Sequence, residues 1–258
     1  MAALLVRTSG RCRSRYQALW LGVLLLLLCF DLYPQEPCDF EAKLLLPPSQ
    51  TKAAIAALHA GKETAGYVYL YDTPSLDLLS HGVIVRLRRG SDNDLTVKLR
   101  PTTGQTFSDP SAGREDYKCE VDMTGIGPVN SYSIRRPSTV PPPATSGEIY
   151  GMLSPGQRKL LEQSQVAIDW SRVKKIVGIR YTAWQSKSQP KFKKLALELW
   201  EWPGGRVLEL STKVEGEAGP ATYQALQRLA QEERLSLSTI QGPKTNLVLR
   251  STAQDADH

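Results

Sequence analysis

Over much of the chain polar and apolar residues alternate with a period of two, the pattern of β-strands that have one apolar face. Asp39, Glu41 and Lys43 share one face of the first such segment, and Phe40, Ala42 and Leu44 the other. Arg86 and Arg88 oppose Val85 and Leu87, and Thr96, Lys98 and Arg100 oppose Leu95, Val97 and Leu99. Lys118, Glu120 and Asp122 oppose Cys119, Val121 and Met123. Further on, Lys194 and Glu198 oppose Leu195, Leu197 and Leu199, while Glu209, Ser211, Lys213 and Glu215 oppose Leu208, Leu210 and Val214.

Three segments carry helical spacing instead. Residues 52–60 follow Ser49 as a cap, show Ile55 and Leu58 on one face, and meet Gly61 as a stop. Residues 154–165 open with a capping box, Ser154 and Gln157, with Pro155 at the first helical position. Residues 220–234 place Tyr223, Leu226, Leu229 and Ala230 on one stripe. These stripes read as packing surfaces. Residues 101–113 and 136–147 read as loops, and Pro141-Pro142-Pro143 cannot sit inside a sheet. They interrupt one domain rather than divide two, and no repeat of fixed period is present.

A half-exposed antiparallel sheet also alternates, with its charges facing water. Here, however, ionisable residues dominate the polar faces, and they are sorted: acid pairs fall at 39/41 and 120/122, base pairs at 86/88 and 98/100. Carboxylates two apart on a strand can converge on one hard cation, and arginine pairs present forked donors to phosphate oxygens. The sorting favours a site over a surface.

Composition narrows the function classes. The 258 residues are 41% hydrophobic and 22% charged, as expected for a globular protein of one domain or at most two. Four arginines against one acid in residues 1–33 account for half of the net charge of +6, so the remainder is too mildly basic to indicate a nucleic-acid partner. Residues 1–33 combine that basic stretch with an apolar run at 19–30, which predicts a signal peptide or membrane anchor and an exported or membrane-anchored, extracytoplasmic protein. A misassigned start would instead leave a cytoplasmic chain. Past this segment only Cys38 and Cys119 remain of four cysteines, either a disulfide or two buried small hydrophobes. With three histidines and no CxxC, a zinc site is not expected. No GxxxxGK[ST], GxSxG or HExxH is present. His81 reads as a turn residue, and Trp170, Trp184, Trp200 and Trp202 as packing residues.

Five segments in order resemble the CYTH, or triphosphate tunnel metalloenzyme, family. Asp39-Phe40-Glu41-Ala42-Lys43 is similar to its E-x-E-x-K opening. Tyr69-Leu70-Tyr71-Asp72-Thr73-Pro74, continuing through Gly82 to Arg86-Leu87-Arg88, resembles its "YFDTP…L…G…LRLR" stretch. Leu95-Thr96-Val97-Lys98-Leu99-Arg100 matches an "LTLKLR" strand, Gly204-Gly205 with Leu208-Glu209-Leu210-Ser211 a late hairpin, and Lys244-Thr245 a closing tail. Two positions depart: aspartate stands at 39, and Ser211 where the family commonly has a metal-binding carboxylate.

The resemblance implies an α+β, mainly antiparallel fold, a closed eight-stranded tunnel barrel with a few flanking helices over residues 34–250, followed by a disordered tail at 251–258. Its charged faces would point inward. It further implies that Mg²⁺ or Mn²⁺ is held by Asp39, Glu41, Glu120, Asp122 and Glu209. Lys43, Arg86, Arg88, Lys98, Arg100 and Arg180 would bind phosphate, with Glu41, Lys43, Arg86 and Arg88 at the catalytic centre. The implied reaction is metal-dependent hydrolysis of a terminal phosphoanhydride in inorganic triphosphate or an organic triphosphate. Adenylyl cyclase-like activity, or non-catalytic polyphosphate binding at the cell envelope, are the alternatives.

Overall fold

Nine strands close into one barrel in the computed structural model, which describes residues 38–101, 116–164, 167–186, 192, 194–214 and 219–255. The strands are β1 (Asp39–Leu46), β2 (Ala60–Asp72), β3 (Val83–Gly90), β4 (Asp94–Leu99), β5 (Tyr117–Thr124), β6 (Gly127–Pro137), β7 (Lys174–Ser186), β8 (Leu195–Trp202) and β9 (Gly205–Val214). Around the ring they run β1-β5-β6-β4-β3-β2-β7-β8-β9 and back to β1. All pairings are antiparallel except β1 with β5.

The barrel is therefore mixed, and it has one strand more than the sequence predicts. The additional strand is β6, whose inward positions include Val129, Ser131 and Ser133, paired with Asp122, Glu120 and Lys118. Small neutral residues on that face hide it from a search for alternating charge.

Register fixes which side chains meet inside, because residues paired across a ladder share a face. Glu41 pairs with Asp122 and Lys213, Lys43 with Ser211, Arg86 with Thr96, Arg88 with Asp94, and Lys98 with Ser133. These are inward. The alternate residues face out and are covered by helices.

Leu44, Leu46, Leu197, Leu208 and Leu210 pack under α1 (Thr51–Ala57) and α5 (Gly219–Glu232). Val85, Leu87, Leu95 and Val97 pack under α3 (Glu148–Met152) and α4 (Pro155–Glu162). A short α2 (Asp77–Ser80) and a C-terminal α6 (Lys244–Asp255) complete the described helices.

The capping box of α4 is present: the Gln157 amide N–H donates to Ser154 Oγ at 3.2 Å, and the Ser154 N–H to Gln157 Oε1 at 3.0 Å. Gln157 Nε2 also donates to the carbonyls of Leu95 and Ile134, tying the helix to the barrel. In contrast, α1 ends three residues before position 60 because Ala60 already belongs to β2, and its N-cap Gln50 makes no side-chain capping bond. Helix α6 runs past residue 250, so residues 251–255, expected in the tail, are helical.

Between β2 and β3, the buried Asp72 accepts from the N–H groups of Thr73, Leu78 and Leu79 and thereby organises α2. Gly82 then takes φ +72, where a Cβ would lie 1.9 Å from the Arg100 carbonyl oxygen. Only glycine allows that approach. This explains the physical need for both residues in the resembling stretch.

The predicted signal segment and most of the 101–113 loop lie outside the described residues. No helix among the described residues is long and apolar enough to cross a membrane.

Candidate functional site

The barrel interior is divided between two kinds of wall. On β2, β7 and neighbouring strands the inward residues are apolar: Val68, Leu70, Val177, Ile179, Tyr181 and Trp200 pack with Val248 and Leu249 of α6. The polar residues gather on the other arc, from β8 and β9 through β1, β5, β6 and β4 to β3. The charges therefore form one site rather than lining a whole tunnel.

At its centre Glu41, Glu120 and Asp122 bring carboxylate oxygens within 4.8 Å of one another. Four cations surround them. Lys43 Nζ lies 2.8 Å from Asp122 and 3.1 Å from Glu41, and Lys98 Nζ 3.2 Å from Glu120 and 3.5 Å from Asp122. Arg100 reaches Asp122 at 3.1 Å, and Lys213 reaches Glu120 at 2.8 Å. Arg100 also donates to Asn246 on α6 at 3.2 Å. A 380 Å³ cavity opens beside it, with Pro101, Ile126 and Arg250 on its wall.

Asp122 has no exposed side-chain surface. Its burial disfavours the ionised form, but Lys43, Lys98 and Arg100 outweigh that and hold its carboxyl far below the usual range. Burial likewise opposes ionisation of Glu120, yet Lys98 and Lys213 bring it down to about 2. Lys43 is held above the ordinary lysine range despite its burial, because Glu41, Asp122 and Glu209 favour the charged form. For Lys98 burial wins, helped by Lys43 and Arg100, and its pKa falls below the ordinary value.

Toward β3 the pattern changes. Arg88 is neutralised by Asp94, with Nε at 2.9 Å and Nη2 at 2.7 Å, and by Asp92 at 3.1 Å. Its neighbour Arg86 makes no ion pair among the described residues. It reaches only the Thr96 hydroxyl at 3.5 Å, and its buried Nε has no hydrogen-bond partner. Burial and the Arg88 charge lower its pKa to about 10, which still leaves it cationic near neutrality.

Several expectations need correction. Arg180 is outside the barrel: on β7 the inward residues are Val177, Ile179 and Tyr181, so the alternate Arg180 points to solvent and pairs with Glu201. Asp39 is exposed at the start of β1 and, although in register with Glu120, stands outside the three-carboxylate group. Glu209 faces inward but also lies outside that group: it pairs in register with Leu45, four residues along β1 from Glu41, and Lys244 of α6 binds it at 2.8 Å.

Lys244 also holds Glu198 at 3.1 Å and sits 4.6 Å above the Trp200 ring. Glu198, Lys213, Lys244 and Asp94 were not assigned roles from sequence. Alternation places the first two on inward faces, and the register of β3 with β4 locates Asp94 opposite Arg88. Nothing local to Lys244 signals its insertion into the barrel.

The donor set fits a hard divalent cation. Magnesium and manganese prefer carboxylate oxygen, and three carboxylates converge on one point. Glu41, with 16% of its side chain exposed, gives that point access to solvent.

No protein-family profile matches the chain, and no curated protein does. Solved structures do. One is a proposed adenylyl cyclase from Hippeastrum described as having a dominant triphosphatase activity: TM-score 0.55, 19% identity, covering 82% of this chain and 94% of that one. Another is a proposed adenylate cyclase from Bacillus halodurans: TM-score 0.56, 13% identity, covering 82% and 97%. These neighbours are CYTH-like triphosphatase and cyclase proteins, and the chain has their closed-barrel fold. A closed barrel is the fold that the sequence resemblance implies.

Proposed function

We propose that this protein is a divalent-metal-dependent triphosphatase that cleaves the terminal phosphoanhydride of a triphosphate substrate. The observation that carries this reading is Arg86, a half-buried cation aimed into the barrel whose buried Nε has no hydrogen-bond partner and which makes no ion pair among the described residues, on the same polar arc as a three-carboxylate cluster. A partly desolvated charge that lacks an ion pair is costly unless a ligand completes it. A phosphate oxygen matches its forked donors.

Glu41, Glu120 and Asp122 would hold Mg²⁺ or Mn²⁺, which when bound neutralises phosphate charge and lowers the pKa of bound water. Substrate entry then becomes an exchange of partners. Lys43, Lys98, Arg100 and Lys213, paired with the carboxylates here, would turn to the polyphosphate oxygens when those carboxylates hold a metal. Each buried charge keeps an opposite charge through the exchange. Arg86 stabilises the charge that develops on the transferred phosphoryl group, and Arg88, fixed by Asp94 and Asp92, supports it from the neighbouring inward position.

Orthophosphate release from inorganic triphosphate, ATP and thiamine triphosphate, with and without metal, tests the proposal. Metal-dependent release from at least one is expected, and none from any of them sinks it. Because the structural neighbours are also described as adenylate cyclases, cyclic AMP from ATP would select that reading instead. Intact polyphosphate bound without turnover would select a binding protein. The Cys38–Cys119 disulfide supports an oxidising, extracytoplasmic location for the proposed activity.

A further inference from the structure

The three clustered carboxylates are divided between two strands at an unusual place. Glu41 belongs to β1, and Glu120 and Asp122 to β5; these strands form the barrel's parallel pairing. That pairing is also the shortest in the ring, with four residue pairs from Asp39↔Glu120 to Ala42↔Met123, against six or more at every other seam. Parallel ladders are slightly weaker per residue than antiparallel ones. Three carboxylates crowd within 4.8 Å across it, with Lys43 and Lys213 bridging them. The seam has the fewest ladder pairs to hold its register, and the candidate metal cluster depends on that register.

Cys38 and Cys119 form a disulfide one residue before the Asp39↔Glu120 pair, joining residues 81 apart in sequence with a Cα–Cα distance of 4.8 Å. Because Asp39 and Glu120 face inward, the bond lies on the outer side. Neither cysteine is among the residues that line the cavity or form the carboxylate group, but the bond locks the end of the seam from which Glu120, Glu41 and Asp122 project.

We propose that the Cys38–Cys119 disulfide is a positioning element for the metal cluster, so that divalent-cation affinity depends on its oxidation state. The inference rests on the metal site of the proposed function. Reduction by a dithiol breaks the S–S bond with two electrons and two protons, giving two thiols here and a disulfide in the reductant. The seam then keeps its four residue pairs and the Lys43 and Lys213 bridges between its carboxylates, but it loses the covalent tie at the end where Glu41 faces Glu120 and Asp122.

The test titrates Mn²⁺ by electron paramagnetic resonance into three samples: the oxidised chain, the same chain reduced with dithiothreitol and desalted without oxygen, and a Cys38→Ser/Cys119→Ser variant. Binding of inorganic triphosphate in excess chelator is measured on each, to read the arginine side of the site without metal. Loss of Mn²⁺ affinity by about tenfold or more in both samples that lack the S–S bond, the range seen when groups that orient metal ligands are removed, is expected, with metal-free triphosphate affinity within about twofold of the oxidised chain. Unchanged Mn²⁺ affinity with a lowered melting temperature would make the bond a purely structural staple and overturn the inference. So would parallel loss of Mn²⁺ and triphosphate binding, which marks collapse of the whole barrel. Failure of the oxidised chain to bind Mn²⁺ would remove the metal-site reading itself, and this inference with it.

Discussion

Lys244 donates to Glu209 at 2.8 Å from a helix at the far end of the chain, and the same ammonium holds Glu198 at 3.1 Å. Two inward carboxylates that would otherwise face each other across the β8–β9 ladder are joined by an internal cation. Removing one partner of a buried ion pair typically costs about 3–5 kcal/mol, because the other charge remains without compensation. Lys244→Met should therefore lower the unfolding free energy by about 3 kcal/mol, measured by denaturant titration. A change below about 1 kcal/mol would show that water replaces the ammonium at no cost.

Arg86 should behave in the opposite way. Half-buried beside Arg88, it makes no ion pair among the described residues, and burial together with the Arg88 charge outweighs the more distant Asp94 and Glu198. Arg86→Met is expected to leave stability unchanged or raise it by about 1 kcal/mol, as substitutions at functionally strained sites often do. Turnover of triphosphate should fall at least about tenfold, the loss of some 1.4 kcal/mol of transition-state stabilisation. Thermal unfolding and steady-state kinetics on the same preparation check both halves.

Arg180 supplies a control from the outer surface. Its side chain is 63% exposed and pairs with Glu201. Exposed pairs contribute about 0–1 kcal/mol. Arg180→Ala should change neither kcat nor KM for the best substrate by more than about twofold, and a large kinetic defect would restore it to the site.

The acids of the cluster set the response to low pH. Glu120 titrates at about 2 in the folded chain against an ordinary 4.5, and Asp122 is also depressed. A folded pKa below the unfolded value means that the ionised form stabilises the fold above the unfolded pKa and that this contribution disappears as pH falls through the folded one. Melting temperature should thus decline between pH 4.5 and 2. In Glu120→Gln the decline across that window should be shallower. An identical slope would place the acid sensitivity elsewhere.

Much of this site was legible because charge on alternate residues is a strong signal in a strand. Glu41, Lys43, Arg86, Arg88, Lys98, Glu120 and Asp122 all lie where alternation puts them, on one inward face. Arg180 was misplaced by resemblance, although the local pattern of Val177, Ile179 and Tyr181 already puts it on the other side. β6 was missed because its inward serines carry no charge, and neutral residues on a polar face look like loop. Neither the insertion of Lys244 nor the parallel contact of β1 with β5 has a local signature. Both arise from which distant segments meet when the ring closes, and that is a property of topology rather than of any window of sequence. The disulfide was one of two readings left open for Cys38 and Cys119, and the parallel register of β1 with β5 is what brings the two cysteines together.

The ring is sealed by β1 against β9, the first and last strands to be made. No nascent chain can finish the cylinder until residue 214 has been synthesised, and until then β1 and β8 each present an unpaired edge. Exposed edges recruit other strands, and contacts between distant segments form slowly. Any C-terminal truncation that removes β9 should consequently yield an aggregating product rather than a smaller folded one, and a chaperone acting on this protein meets it with both ends of the sheet still open.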